Sequence, residues 1–223
     1  MFPLISPAPF ELAFGGWIVV VIATVAALPI LRRWFLPKAS QQHAWLAGVV
    51  ALALIWTLQS NSRDGLDVGL VGSALFALVF GRERALLGLL AAVALHTILA
   101  NGSWLNFGIN GTLLAVVPAW LATTLQRLLE RLPHNIFIFI IGNGMFVTLL
   151  VTAVVSVSFV AIAVLVAGVA SPSTTELLAY SLLLAWGEAL LSGMIFSALV
   201  VFVPGIVLTY RQDVYLPPRK RPF

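Results

Sequence analysis

A single acidic side chain lies deep within the last long apolar run of the sequence. Glu188 stands well inside the segment Ser173–Val203, and a carboxyl group at that depth in a membrane must face protein or water. Two interpretations stay open: Glu188 is a cation or proton site, or it is a neutral acid hydrogen-bonded between helices. Small residues recur at every fourth position of the same segment and predict a ridge for close helix packing: Ser181, Ala185, Ala189, Gly193 and Ser197.

His96 and Asn110 lie near the ends of two successive apolar runs, and Asn101 and Asn106 fall in the stretch between them. We expect these side chains to share one polar pocket on the outer side of the membrane. Neutral imidazole nitrogen and amide oxygen suit a borderline cation such as nickel or cobalt. The alternative is that His96 is a packing residue, because no second imidazole stands at metal-ligand spacing.

Asn143 is flanked by two glycines in a further apolar run. Its amide either lines the same route as His96 or forms a hydrogen bond between helices. The predicted substrate or ion pathway therefore comprises Glu188, His96, Asn110 and Asn143. No set of metal ligands is assigned, and no bound cofactor is expected.

The elements that hold these residues follow from the composition. Of the 223 residues 61% are hydrophobic and only 9% are charged, whereas about 25% of residues in soluble domains are charged. Backbone groups in lipid must be satisfied within each segment, so every apolar run is predicted to be a helix. We predict one integral membrane domain over 1–223, an all-α bundle of seven transmembrane helices: Leu12–Leu31, Ala44–Gln59, Leu66–Gly81, Ala85–Ala100, Gly108–Gln126, Asn135–Ala167 and Ser173–Val203.

The positions of Lys and Arg support this helix number and give an orientation, because cytoplasmic loops carry the positive excess. Eleven of these residues follow predicted helices 1, 3, 5 and 7, and only Arg63 lies on the other side. The distribution predicts an external amino terminus and a basic cytoplasmic tail over 204–223. The eleven are Arg32, Arg33, Lys38, Arg82, Arg84, Arg127, Arg131, Arg211, Arg219, Lys220 and Arg221.

Three of the predicted helices have unusual lengths. Helices 3 and 4 are short and meet at Arg82–Arg84, which predicts a hairpin that thins the bilayer locally. Helix 6 exceeds a bilayer core of about 30 Å, which predicts that it is tilted, broken or protruding. A break is expected at Gly142–Gly144, where the two glycines flank Asn143.

Motifs for catalysis are missing from the sequence. It has no Walker-type phosphate loop, no HExxH zinc motif and no GxSxG elbow. It also has no cysteine, which excludes disulfides, thiolate metal sites and cysteine nucleophiles. We do not expect an enzyme. We also expect no nucleic-acid partner, because the basic residues lie at helix ends rather than on one face.

Four segments of the sequence resemble the CbiM-type permeases, the substrate-binding membrane components of cobalt and nickel energy-coupling-factor (ECF) transporters. The resemblance extends from about Trp45 to Val203 and rests on the order and spacing of these segments. They are VGLVGSALFALVFGR at 68–82, NFGINGTLLAVVPA at 106–119, LPHNIFIFIIGNGM at 132–145 and GEALLSGMI at 187–195. The last two are most similar to a branch of the family that lacks the usual metal-ligand histidines.

The resemblance implies a seven-helix component of a bacterial cytoplasmic membrane with an external amino terminus. It also implies two partners, a transmembrane coupling protein and cytoplasmic ATPases. The family binds metal through a free amino terminus followed by histidine and through a histidine at the start of helix 3. Phe2, Pro3 and Gly69 occupy those positions here, whereas Asn110 matches the family's asparagine in the helix 5 motif.

Two functions of different classes are therefore predicted. The first is a permease-type substrate-binding component for transition-metal uptake that depends on a separate ATPase module. The alternative is an accessory membrane protein that does not transport and that assists assembly or metal loading of another membrane complex. The missing histidines favour the alternative, whereas Glu188, His96 and Asn110 favour the first.

Reporter fusions test the predicted orientation. A reporter joined after Pro204 should be active only in the cytoplasm, and one inserted between Asn101 and Phe107 only outside it, because basic loops are retained inside. Alkaline phosphatase and green fluorescent protein fusions at both points measure the two sides. The reverse pattern would contradict the predicted helix count.

Overall fold

The computed structural model describes residues 9–34, 38–60, 72–133, 135–167 and 172–215. Within these ranges every regular element is helical, which confirms the all-α class. Five helices of the described part are long and apolar enough to cross a membrane: Phe10–Leu28, Ala39–Leu58, Phe107–Leu129, Ile136–Ile162 and Leu178–Phe202. The chain is therefore a multi-pass membrane protein, and the orientation of its termini stays a prediction.

The described helices form seven consecutive runs and one short terminal helix, in the order that the apolar runs predict. The first four are α1 (Phe10–Trp34), α2 (Ala39–Ser60), α3 (Ser73–Phe80) and α4 (Arg82–Leu99). The fifth run is α5 (Phe107–Gly111), a π-helical turn π1 (Thr112–Val116) and α6 (Val117–Leu129). The sixth is α7 (Ile136–Ile141), a second π-helical turn π2 (Gly142–Val147) and α8 (Thr148–Ala167), and the last elements are α9 (Pro172–Phe202) and α10 (Gln212–Tyr215).

The irregularity expected at Gly142–Gly144 is the π-helical turn π2 and not a break. Backbone bonds in a π-helix run to the fifth residue, so the helix continues while its faces rotate. A Cβ atom on Gly144 would lie 2.9 Å from the Cα atom of Gly193, so the two backbones touch where π2 crosses α9. This contact confirms that the small-residue ridge of α9 packs closely against a neighbouring helix.

The sequence predicts the turn between α3 and α4 at Arg82–Arg84. In the structure the turn lies at Gly81. Gly81 has a φ angle of 77°, in the left-handed region that glycine adopts without strain. Arg82 and Arg84 form the first turn of α4. The hairpin is therefore tighter than expected, because one glycine reverses the chain.

The carboxyl end of α3 is covered by the chain that follows α9. α3 has 8 residues, and all of them except Leu75 are buried. The N–H group of Leu208 donates to the carbonyl oxygen of Val79 at 2.8 Å, and the Thr209 hydroxyl donates to the carbonyl of Leu78. These bonds satisfy two carbonyl groups at the end of a short helix that would otherwise be free.

Aromatic rings anchor the same carboxyl-terminal segment to the bundle. The ring of Phe139 on α7 lies 5.3 Å from that of Tyr210 and 4.6 Å from that of Tyr215. On the α2 side, the Gln41 amide donates to the carbonyl of Gly205 at 2.9 Å. Residues 204–215 of the predicted tail thus pack on the helices, while 216–223 lie outside the described residues.

α1 and α5 cross with their backbones in direct contact. A Cβ atom on Gly16 would lie 2.5 Å from the carbonyl carbon of Gly108, and one on Gly108 would lie 2.4 Å from the Trp17 nitrogen. The Thr112 hydroxyl lies 3.2 Å from the Gly16 carbonyl oxygen. Only glycine fits at either position of this crossing.

Neighbouring glycines of α1 therefore differ in their tolerance of alanine. Gly16→Ala should destabilise the protein by about 1–3 kcal/mol, because the new methyl group overlaps backbone that cannot move independently. Gly15→Ala is the matched control, since nothing lies within 4 Å of its Cβ position. Thermal unfolding in detergent measures both, and equal melting temperatures would contradict the close crossing.

Candidate functional site

Glu188 lies on α9 with its side chain buried, 1% exposed. Its carboxylate oxygen Oε1 accepts a hydrogen bond from the backbone N–H of Gly72 at 2.8 Å. Gly72 directly precedes α3, so the carboxylate sits at the amino end of that helix. Glu188 therefore faces protein, one of the two surroundings expected at this depth, and one of its hydrogen-bond partners is the end of a helix.

The position of Gly72 explains why a carboxylate fits at this depth. Free N–H groups and the helix dipole make the amino end of a helix attractive to negative charge. Gly72 itself has a φ angle of 64°, and a Cβ atom there would lie 2.6 Å from Leu52. The backbone can therefore present its N–H to Glu188 only because residue 72 is glycine.

His96 lies near the end of α4 and is 1% exposed. Its Nδ1 atom is 3.1 Å from the hydroxyl oxygen of Thr57 on α2, and its ring meets Trp56 edge-on at 6.5 Å. The packing interpretation of His96 is thus accurate for one ring nitrogen. The second nitrogen, Nε2, is buried and has no hydrogen-bond partner in the described part of the chain.

The bonding of Thr57 determines which nitrogen of His96 carries the proton. The Thr57 hydroxyl donates its one hydrogen to the carbonyl of Ala53 at 2.7 Å. This bond favours the tautomer in which His96 Nδ1–H donates to the Thr57 oxygen and Nε2 keeps a lone pair. A neutral imidazole whose other nitrogen donates to a fixed acceptor has the arrangement usual for a metal-ligating histidine.

The asparagines expected beside His96 lie in different surroundings. Asn110 is on α5 and 3% exposed, and Asn106, just before α5, has a buried Oδ1 atom without a partner among the described residues. Asn101 is exposed and has a left-handed φ angle of 50°. The described contacts connect His96 to α2, and they do not connect it to Asn110, so the shared pocket stays a prediction.

Asn143 lies on π2 and is 1% exposed. Its amide nitrogen donates to the carbonyl of Phe139 in the same helical run at 2.9 Å. Its Oδ1 atom is buried and has no partner within the described ranges. The sequence suggested a hydrogen bond between helices, whereas the amide nitrogen of Asn143 bonds within its own helical run. The amide oxygen has no partner among the described residues.

A cavity of about 290 Å³ lies between α2, α3 and α9 and reaches Glu188. Glu188 and Ser192 provide its polar side chains, and aliphatic or aromatic groups form the rest of the wall. Residues from each of the three helices line it: Gly48, Leu52, Phe76, Leu75, Ser192 and Leu199. Glu188 and Ser192, four residues apart on α9, thus face this space.

Two residues of the candidate site were not recognisable from the sequence. Gly72 and Thr57 contact Glu188 and His96 from positions 116 and 39 residues away. Thr57 lies in none of the four segments that carry the family resemblance, and Gly72 lies in the segment at 68–82 without matching a ligand position. No group of three or more His, Cys, Asp or Glu that could hold a metal occurs among the described residues. Phe2, Pro3 and Gly69 lie outside them.

Comparison with known proteins gives one match. A family model described as the cobalt uptake substrate-specific transmembrane region matches residues 9–206. Searches of curated proteins and of solved structures found no match. The matched range begins just before α1 and ends after α9, so it includes every helical run that crosses the described bundle.

The bond between Glu188 and Gly72 predicts a graded effect of substitution. Glu188→Leu should lower stability by about 1–3 kcal/mol, because it leaves the half-buried N–H of Gly72 without this acceptor. Glu188→Gln should lower it less, since the amide oxygen still accepts. Glu176→Leu, at an exposed position of the same helix, is the matched control, and thermal unfolding in detergent provides the measurement. A Glu188→Leu protein as stable as the control would contradict a stabilising hydrogen bond between Glu188 and Gly72.

Proposed function

Because the chain belongs to the CbiM family of cobalt-uptake substrate-specific transmembrane regions, we propose that it binds a transition-metal ion for uptake across a bacterial cytoplasmic membrane. The family match over residues 9–206 carries this proposal, since it spans the helical bundle as a whole. Cobalt or nickel is the proposed substrate class. Both ions accept neutral imidazole and amide ligands.

Energy for uptake comes, in this proposal, from separate proteins. The sequence contains no phosphate-binding loop, so it does not hydrolyse ATP by that route. We propose a transmembrane coupling protein and cytoplasmic ATPases as the partners, as in the ECF transporters that the sequence resembles. The chain itself then contributes substrate recognition.

His96 is the proposed metal ligand within the described residues. In the proposed tautomer, Nδ1–H donates a hydrogen bond to the Thr57 oxygen, so Nε2 keeps its lone pair. Neutral imidazole nitrogen is a preferred ligand of first-row divalent ions such as nickel and cobalt. The amide of Asn110 is proposed as a second contact, either directly or through water.

A second candidate is the accessory protein that keeps the fold without transport. The residues Phe2, Pro3 and Gly69 favour it, because they replace the amino-terminal and helix 3 histidines of the usual ligand set. In that case the chain would assist assembly or metal loading of another membrane complex. Metal uptake into cells, rather than metal binding alone, separates the two proposals.

Purified protein should bind Ni²⁺ or Co²⁺ with an affinity that depends on His96. His96→Ala should abolish binding, and Thr57→Val should weaken it about 10- to 100-fold, because the ring loses the acceptor that fixes its proton. Isothermal titration calorimetry measures both. The matched controls are His43→Ala, an exposed histidine, and Thr24→Val, a half-buried threonine that donates to its own helix.

The same variants separate the two functions in cells. With candidate coupling proteins co-expressed, cell-associated nickel or cobalt should rise for wild type and fall for His96→Ala, whereas His43→Ala should match wild type. Glu188→Gln tests whether the carboxylate also lies on the ion route. Equal nickel, cobalt and copper contents in every strain, with no copurified ATPase, would contradict the uptake function and favour the accessory one.

A further inference from the structure

Two buried threonines of α8 lack the bond that threonine normally makes in a membrane helix. A threonine hydroxyl in a helix interior commonly donates to the carbonyl four residues earlier. Thr148 is 0% exposed and Thr152 is 4% exposed, and neither hydroxyl has a hydrogen-bond partner among the described residues. Other described helical threonines make this bond at 2.7 or 2.8 Å: Thr24, Thr57, Thr97, Thr112, Thr123 and Thr124.

Thr148 and Thr152 belong to a continuous row of buried polar side chains. They are four residues apart in α8, and Ser156, buried as well, follows after four more. Asn143 lies in π2, five residues before Thr148, the first residue of α8. Backbone hydrogen bonds in a π-helix join residues five apart. The unpaired Oδ1 atom of Asn143 therefore lies one turn below Thr148 on the same face.

The lower end of this row reaches the loop between α6 and α7. A small cavity of about 10 Å³ touches Asn143 and is lined by Glu130 and Asn135 beside the loop and by Tyr215 of α10. That volume is about the size needed to hold one water molecule. The cavity therefore connects the first amide of the row with the polar end of the bundle.

The middle of the row, at Thr148, lies at the depth of Glu188. Gly144 touches Gly193, and α8 and α9 run in opposite directions from that contact. Thr148 is four residues from Gly144 and Glu188 is five from Gly193, so at 1.5 Å per residue their depths differ by about 1.5 Å. The bond from Gly72 to Glu188 brings the start of α3 to the same level.

Ser73, the first residue of α3, adds another unpaired hydroxyl at this level. Its side chain is 0% exposed, and its oxygen has no partner in the described part of the chain. α3 packs against both α8 and α9. The helix that carries Ser73 is therefore in contact both with the helix of the polar row and with the helix of Glu188.

We propose that Asn143, Thr148, Thr152 and Ser73 bind a line of water molecules that leads from the α6–α7 loop to the depth of Glu188. The depth of Glu188 is reached at Thr148, about 7.5 Å along the helix from Asn143, and Thr152 extends the line by one further turn. It is a hydration site, and it is independent of the metal-uptake function. Through it, solvent reaches the depth of a carboxyl group that is 1% exposed.

The chemistry of the row favours water over other ligands. Its groups are neutral hydroxyl and amide oxygens, and hydroxyls both donate and accept, as water does. A transition metal prefers imidazole, thiolate or carboxylate ligands, and Asn143, Thr148, Thr152 and Ser73 supply none of these. Leaving four buried polar atoms without partners in a membrane is unfavourable, and bound water satisfies them.

The absence of cysteine permits a direct test, because any introduced thiol is the sole reactive one. Methyl methanethiosulfonate is small and neutral, so it reaches buried positions through lipid, but it reacts only with thiolate, which needs water to form. Thr148→Cys and Thr152→Cys should react at least about tenfold faster than Val151→Cys and Val155→Cys, whose thiols stay protonated in apolar surroundings. The two valines are equally buried, 1% and 0% exposed, on the adjacent row of α8.

Asn143→Leu tests where the water enters. Combined with Thr148→Cys, it should reduce the reaction to the rate of the valine positions, because the side chain that joins the loop cavity to the row becomes apolar. Ser73→Cys, compared with Ala77→Cys on α3, gives a second readout if a threonine variant does not fold, as judged by thermal unfolding. Threonine and serine positions that react as slowly as their controls would overturn the hydrated path. Fast reaction that Asn143→Leu leaves unchanged would overturn its entry from the α6–α7 loop.

Discussion

The ends of α3 impose the strictest constraint on this bundle. An α-helix leaves four N–H groups at one end and four carbonyl groups at the other without partners of their own, and lipid supplies none. α3 is only 8 residues long, so both ends lie inside the protein. α9 meets the first end through Glu188, and the chain after α9 meets the second through Leu208 and Thr209. One continuous stretch of chain therefore holds α3 at both ends.

The remaining packing follows from the need to hold α9 firmly in place. Its small-residue ridge allows the backbones of Gly144 and Gly193 to touch, which fixes the height of α9 relative to π2 and α8. The π-helical turn at Gly142–Val147 rotates the polar face of the sixth run toward the interior. On the opposite side, Gly16 and Gly108 give α1 and α5 an equally close crossing. Backbone contacts, rather than large side chains, thus set the register of the bundle.

Much of the fold could be predicted from the sequence because lipid permits few alternatives to a helix. Apolar runs located the helices, and the glycines around Asn143 marked the irregular turn correctly, although as a break. The hairpin was misplaced because Arg82–Arg84 looked like a polar loop, whereas a single left-handed Gly81 is sufficient. The burial of Glu188 was predictable from its depth alone.

The partners of the site residues could not be predicted in the same way. Glu188 bonds to a backbone N–H, and a backbone group has no signature in the sequence. His96 was recognised as a candidate, but its proton position depends on Thr57, whose hydroxyl is committed to Ala53 only once α2 is folded. Thr148 and Thr24 are both threonines within apolar runs, so the sequence alone cannot tell their surroundings apart. They differ only in whether the hydroxyl bonds to its own helix.

The hydrogen bonds that hold both ends of α3 have a consequence for biosynthesis. Gly72 leaves the ribosome 116 residues before Glu188, and Leu208 and Thr209 follow later still. During that interval the growing chain contains a helix too short to span the bilayer, with both of its ends unsatisfied. We therefore expect the α3–α4 hairpin to reach its final place only after α9 has been synthesised. A nascent chain that stops before α9 lacks the groups that bond to both ends of α3.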